Sequence, residues 1–324
     1  MLPDFVLDMM IESMNRQTYK GEFELIIVDL LWHERSLKES TWRVTRPRFP
    51  ILHIPDKPSP FKDHGLLRIA TPKNTGIIFA RGENVVFTDD CQVIPENALS
   101  YLEEHADKGV GCTMSYEKRV LRGGVAHQDR VTGVDQRGNQ LEIPEGESKI
   151  VPARSIGFLG GTMSMLPMED VLEINGWDEM FDGSRQLEDG DMIVRLAASS
   201  RLMAYENRCR IIEYECGAYG DVVNTEPIKC NGAYAQHVWG LPGRTMANQL
   251  QGEELDLVVE RMHWEGCVRL RDEDKCWPHE SPCTKLGNKE QLEKIYKDPR
   301  LCFNLREERE KANWDNALEY LGVI

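Results

Sequence analysis

Two acidic clusters carry the residue types that could do chemistry. Asp89 and Asp90 follow an apolar run, Val85-Val86-Phe87, and lead into Cys91-Gln92-Val93-Ile94-Pro95. Apolar residues in a row read as a buried parallel strand, so the two carboxylates fall where that strand leaves its sheet. Ligands of open α/β sheets gather at the carboxyl ends of strands. Mg²⁺ binds there through one or two carboxylates plus the phosphates of a substrate. An isolated acid pair equally suits a solvated turn or a helix N-cap, so its setting decides. The second cluster, Glu188-Asp189-Gly190-Asp191, opens a segment that ends Arg195-Leu196. A carboxylate within about 3 Å of a hydroxyl can accept its proton. Acids in a first helical turn are also favoured by the helix dipole, whatever their use.

The elements that must position these acids can be read in order. Pro3 to Tyr19 has apolar residues at 6, 7, 10, 11 and 14, which is helical spacing. Phe23 to Asp29 is an apolar strand ending in an acid. Pro72 to Glu83 reads as a short helix closed by Gly82, feeding into the acidic strand. Helix, strand, connection, helix, strand is the grammar of a doubly wound sheet. Between them, prolines at 47, 50, 55, 58 and 60 surround Ile51-Leu52-His53-Ile54, a short strand followed by an extended loop. Arg122-Gly123-Gly124 and Gln136-Arg137-Gly138-Asn139 are turn signals and predict an excursion or hairpin within 115–155. Residues 226–262 read as largely helical, broken by Gly240-Leu241-Pro242-Gly243; residues 288–321 are charged and amphipathic, with a break at Pro299.

Composition sets limits. A chain of 324 residues, 41% hydrophobic, suffices for one large domain plus an extension. It has no apolar run of the roughly 18 residues a membrane span needs and no basic-then-apolar start of a signal peptide. Its nine scattered cysteines are unlike a secreted disulfide scaffold and point to the cytoplasm. A net charge of −15 argues against nucleic acid as a partner. Four of His263, Cys267, Cys276, His279 and Cys283 could meet the tetrahedral demand of a structural Zn²⁺; reduced cysteines in a small core are the plainer alternative.

Five blocks in sequence resemble successive motifs of the family-2 glycosyltransferases with the GT-A fold. They are Ser13 to Tyr19, Phe23 to Asp29, Asn74 to Glu83, Phe87 to Cys91, and a later block. That block comprises Gly160-Gly161-Thr162-Met163-Ser164-Met165, Ile174-Asn175-Gly176-Trp177-Asp178-Glu179 and Leu187 to Leu196. The resemblance implies a Rossmann-like mixed sheet flanked by helices over residues 1–215, with a mostly helical extension over 216–324. It implies transfer of a sugar from a nucleotide-diphosphate sugar, a UDP-sugar foremost, to an acceptor hydroxyl with inversion, assisted by Mn²⁺ or Mg²⁺. Asp90 is then the metal ligand, supported by Asp89, which also reaches ribose. Asp29, Arg68, Lys73, Asn74, Gly160 and Gly161 face the nucleotide sugar; Trp177 and Asp178 face the acceptor. Asp189 is the base, Glu188 its neighbour and Asp191 the runner-up. Two departures stand out. Leu30 replaces the acid that commonly follows Asp29, and Met1-Leu2-Pro3-Asp4 runs straight into the first helix, where the family has a strand. The histidine that often completes the metal site has no clear counterpart; Glu215 or His237 could replace it. A non-catalytic nucleotide-sugar-binding module and a sugar nucleotidyltransferase are the rival readings; the latter lacks its Gly-rich basic phosphate loop.

Overall fold

The computed structural model describes residues 5–35, 47–59, 68–122, 125–159, 163–182, 187–216 and 304–324. Helix α1 (Phe5–Asn15) leads to strand β1 (Leu25–Val28) and a single helical turn, α2 (Trp32–Arg35). Strand β2 (Ile51–Ile54) pairs with β1 in parallel, Leu25 opposite Ile51 and Val28 opposite Ile54. Helix α3 (Ala70–Phe79) packs on β1 and precedes β3 (Asn84–Phe87), the strand that delivers the acid pair. The expected order of elements is therefore present.

Strands β3, β4 (Gln92–Val93), β5 (Gly111–Arg122), β6 (Val125–Val134), β7 (Ser148–Pro152), β8 (Ser164–Pro167) and β9 (Leu202–Cys216) form a seven-stranded sheet. Its central path runs β3-β8-β5-β9-β4, with β6 on β5 and β7 on β9. The sheet is mixed: β5 and β9 run in parallel, and the other pairs are antiparallel. This corrects the expectation of a parallel β3. Val85 and Val86 lie antiparallel to Leu166 and Met165, and only Val85 of the run is fully buried. β5 and β6 form the hairpin expected within 115–155.

Helices α4 (Ala98–Ala106), α5 (Arg137–Gln140), α6 (Met168–Glu173) and α7 (Glu188–Ala198) complete this part. Alternation along the strands divides the core in two. Met165 of β8 and Ala204 of β9 face a cluster built with Leu7, Met10 and Ile11 of α1. Their neighbours Leu166, Met203 and Tyr205 face another, built with Ile77, Ile78 and Phe79 of α3 and Trp177. Leu305, Ala317 and Leu321, from α8 (Leu305–Lys311), α9 (Ala317–Tyr320) and the residue after it, belong to that second cluster.

Candidate active site

α3 positions the first functional side chains, and its sequence, ATPKNTGIIF, is a poor helix former. Gly82 does not close it: the helix ends at Phe79, and Ala80 is extended at φ −65° and ψ 131°. Its start has no local side-chain cap. Asp182 supplies one from elsewhere, accepting from the backbone N–H groups of Ile69 (2.6 Å), Ala70 (2.8 Å) and Thr71 (3.0 Å) and from the Thr71 hydroxyl. Burial pushes this carboxyl up to about 6 despite those donors.

Asn74 lies inward. It is fully buried, donates to the Trp177 carbonyl and to Glu179 Oε1 (both 2.8 Å), and accepts from the Trp177 N–H (2.8 Å). It joins α3 to the turn before α7 and does not line the cavity. Glu179 also accepts from Lys57 Nζ at 2.8 Å in a buried ion pair. Gly176 lets these segments meet. Its φ is +73°, and a Cβ there would stand 2.5 Å from Asn74 Oδ1 and 2.8 Å from Leu305 Cδ2.

A cavity of about 2950 Å³ opens beside the sheet, and Asp29, Arg68, Lys73, Asp89, Asp90, Glu188 and Asp189 all line it. Asp89 and Asp90 occupy the turn between β3 and β4. α7 brings Glu188 and Asp189 to the same space, following Leu187 in a left-handed conformation (φ 78°) that strains a branched side chain. Lys73 bridges the two groups of acids. Its ammonium donates to Asp189 Oδ1 at 3.2 Å and lies 3.7 Å from the centre of the Trp177 ring. Burial opposes its charge, but Asp189, Glu188 and Asp89 outweigh that and raise its pKa.

The acids feel one another. Burial, then Glu213, Asp189 and Asp90, push the Asp89 carboxyl up to about 7 against the pull of Lys73. Burial and then Asp189 push Glu188 to about 7. Near Glu215, named above as a possible stand-in for the histidine, β9 brings Glu213 to the cavity wall, paired across the sheet with Gln92 and accepting from Lys118 Nζ at 3.2 Å.

Other expected residues have structural partners. Asp191 accepts from Arg195 Nε at 2.8 Å, and Arg195 donates onward to the carbonyls of Ile174 (2.8 Å) and Gly176 (2.7 Å), tying α7 to the Trp177 turn. Burial raises Asp191 to about 6. Trp177 and Asp178 are each 1% exposed and do not line the cavity; Lys73 and the edge-on ring of Phe87 cover Trp177. Arg68 pairs with Asp56 at 2.8 Å. Asp29 lies within 3.0 Å of His53 Nε2 and accepts from the Leu31 N–H at 2.9 Å. Gly160, Gly161, His237 and the His263–Cys283 cluster lie outside the described residues.

The donors around Asp89 fit a hard cation in one way. Among the described residues no three His, Cys, Asp or Glu side chains converge to enclose a metal. The turn offers two carboxylates in an acid-rich wall, leaving the remaining positions of Mg²⁺ or Mn²⁺ to phosphate oxygens and water. No helix among the described residues is long and apolar enough to cross a membrane.

No protein-family model matches the chain, and no curated protein matches it. Among solved structures, it is similar to S. aureus TarS 1-349 in complex with UDP-GlcNAc. Identity is 14% over 98% of this chain and 86% of that one, with a TM-score of 0.47. It is also similar to GalNAc-T7 with UDP, GalNAc and Mn²⁺, at 11% identity over 79% of this chain and 51% of that one, with a TM-score of 0.44. Likenesses this distant assign neither family nor activity.

Proposed function

We propose that this protein is a GT-A-type glycosyltransferase, moving a sugar from a nucleotide-diphosphate sugar, a UDP-sugar foremost, to an acceptor hydroxyl in the cytoplasm. One observation carries the reading: Lys73 stands between the acid pair after β3 and the acids opening α7, all lining one cavity. That arrangement suits a substrate with an anionic leaving group at one end and a hydroxyl to be deprotonated at the other.

Asp90, supported by Asp89, would hold a divalent cation, which when bound offsets the charge growing on the departing diphosphate. Lys73 adds a fixed positive charge between the two ends, donating to Asp189 and within the field of Asp89. Its place over Trp177 and against Asp189 restricts it to one position, so little reorganisation accompanies charge development. Asp189 takes the proton of the acceptor hydroxyl. That oxygen bonds to the anomeric carbon as the bond to the nucleoside diphosphate breaks on the opposite face, inverting the centre. Glu188, raised to about 7, shares the proton load beside it. Asp29, also in the cavity lining, offers acceptor oxygens to the base or ribose.

The test is release of nucleoside diphosphate from a panel of UDP-, GDP- and dTDP-sugars, with Mn²⁺, Mg²⁺ or EDTA. Wild type is expected to hydrolyse one donor slowly, with at least a hundredfold loss in Asp90→Ala and in EDTA. Metal-dependent nucleotide binding without turnover, even with acceptor extracts, would favour a non-catalytic binding module.

A further inference from the structure

The C-terminal residues 304–324 touch both walls that hold Lys73. Arg309, half-buried, donates to the carbonyls of Ile77 and of Ala80 (2.6 Å to the latter), and Trp314 Nε1 donates to the carbonyl of Phe79 at 2.9 Å. These carbonyls lie at the end of α3, where a helix leaves its last acceptors unsatisfied and its dipole favours a cation. Arg81 stacks on the Trp314 ring at 4.0 Å, and Phe79 meets Tyr320 edge-on at 5.6 Å. At the other wall, the Leu305 N–H donates to Asn175 Oδ1 at 2.9 Å. Asn175 (φ 61°) and Gly176 form the turn that presents Trp177 to Lys73. Arg306 pairs with Glu169 at 2.7 Å on the same side.

We infer that residues 304–320 act as a brace, with Arg309 and Trp314 as positioning residues that fix the separation of α3 from the Trp177 turn and so hold Lys73 for a diphosphate. The reason is the weakness of α3 on its own. It has ten residues, among them Thr71, Pro72, Thr75, Gly76, Ile77 and Ile78, and most of these disfavour a helix. Asp182 secures its start, and Arg309 with Trp314 secures its end. Lys73 lies about two turns, roughly 10 Å, from that end, so loosening of this weak helix there reaches the ammonium. The brace rests on the reading of Lys73 as a donor-binding residue.

The test uses the full chain and three variants, Arg309→Met, Trp314→Phe and Lys73→Ala. Amide hydrogen exchange reports the brace directly, and calorimetric binding of UDP with Mn²⁺ reports its consequence. Trp314→Phe keeps one aromatic ring but loses the indole N–H and the second ring, part of the surface under Arg81, so it remains informative if Arg309→Met does not fold. The brace predicts faster exchange in both 70–80 and 174–179, unchanged protection in 84–87 and 164–167, and UDP affinity weakened about fivefold. Exchange altered only at 77–80, or equally throughout the sheet, would overturn it. So would unchanged UDP affinity in these variants alongside clear weakening in Lys73→Ala. If Lys73→Ala also leaves UDP binding intact, the donor-site reading falls, and coupled exchange at the two segments then judges the brace as a structural device.

Discussion

Burial, and then the neighbouring Asp189, push the Glu188 carboxyl up to about 7 from an ordinary 4.5. The folded protein therefore keeps a proton between those values that the unfolded chain releases. The stabilising contribution is complete below pH 4.5 and is lost as pH rises through about 7. Glu188→Gln, which never ionises, should match wild type near pH 4.5 and exceed it at pH 8 by on the order of 2 kcal/mol. Urea unfolding in EDTA at the two pH values measures this, and an equal gap at both would show that Glu188 is not buried against its neighbours. Asp29, Asp89, Asp90, Glu188 and Asp189 were legible because each ends a readable apolar strand or opens a readable helical segment. Lys118 and Glu213 were not, because neither stands beside a motif; the pairing of β5, β9 and β4 brings both to the cavity and Glu213 within the field of Asp89.

At the scale of elements, α3 depends on partners far away in the chain. Asp182 accepts four hydrogen bonds from the start of the helix, three of them buried. Asp182→Ala would leave those donors without an acceptor and should lower the unfolding free energy by about 3 kcal/mol. Denaturant titration checks it, and a loss under about 1 kcal/mol would mean that other groups cap the helix. Gly176→Ala should be at least as damaging, since the new methyl would meet Asn74 and Leu305 from a left-handed backbone. A loss within about 0.5 kcal/mol would show that the turn relaxes freely. Asn74, which the motif resemblance placed toward the nucleotide, sits next to Lys73 in sequence, yet the two side chains leave the helix on different faces, one into the core and one over the Trp177 ring.

For the whole molecule, a net charge of −15 and an acid-lined cavity make cation binding a stability term. A ligand present at a hundred times its Kd adds about 2.7 kcal/mol. Mn²⁺ with UDP should thus raise Tm by about 5 °C, reversed by EDTA and abolished in Asp90→Ala. The same rise in that variant would locate the cation elsewhere.

The sequence by itself determined which acids stand at the ends of readable segments, the order α1, β1, β2, α3, β3, and the hairpin within 115–155. These follow from local periodicity and from the residue types that end each segment. The tertiary structure decided the rest: that β3 is antiparallel to its neighbour, that Asn74 and Trp177 face inward, that Asp191 serves Arg195, and that residues 304–324 close against α3. Each of these depends on which distant donor meets which acceptor. A buried polar group must find a partner somewhere, but its own sequence neighbourhood does not specify where.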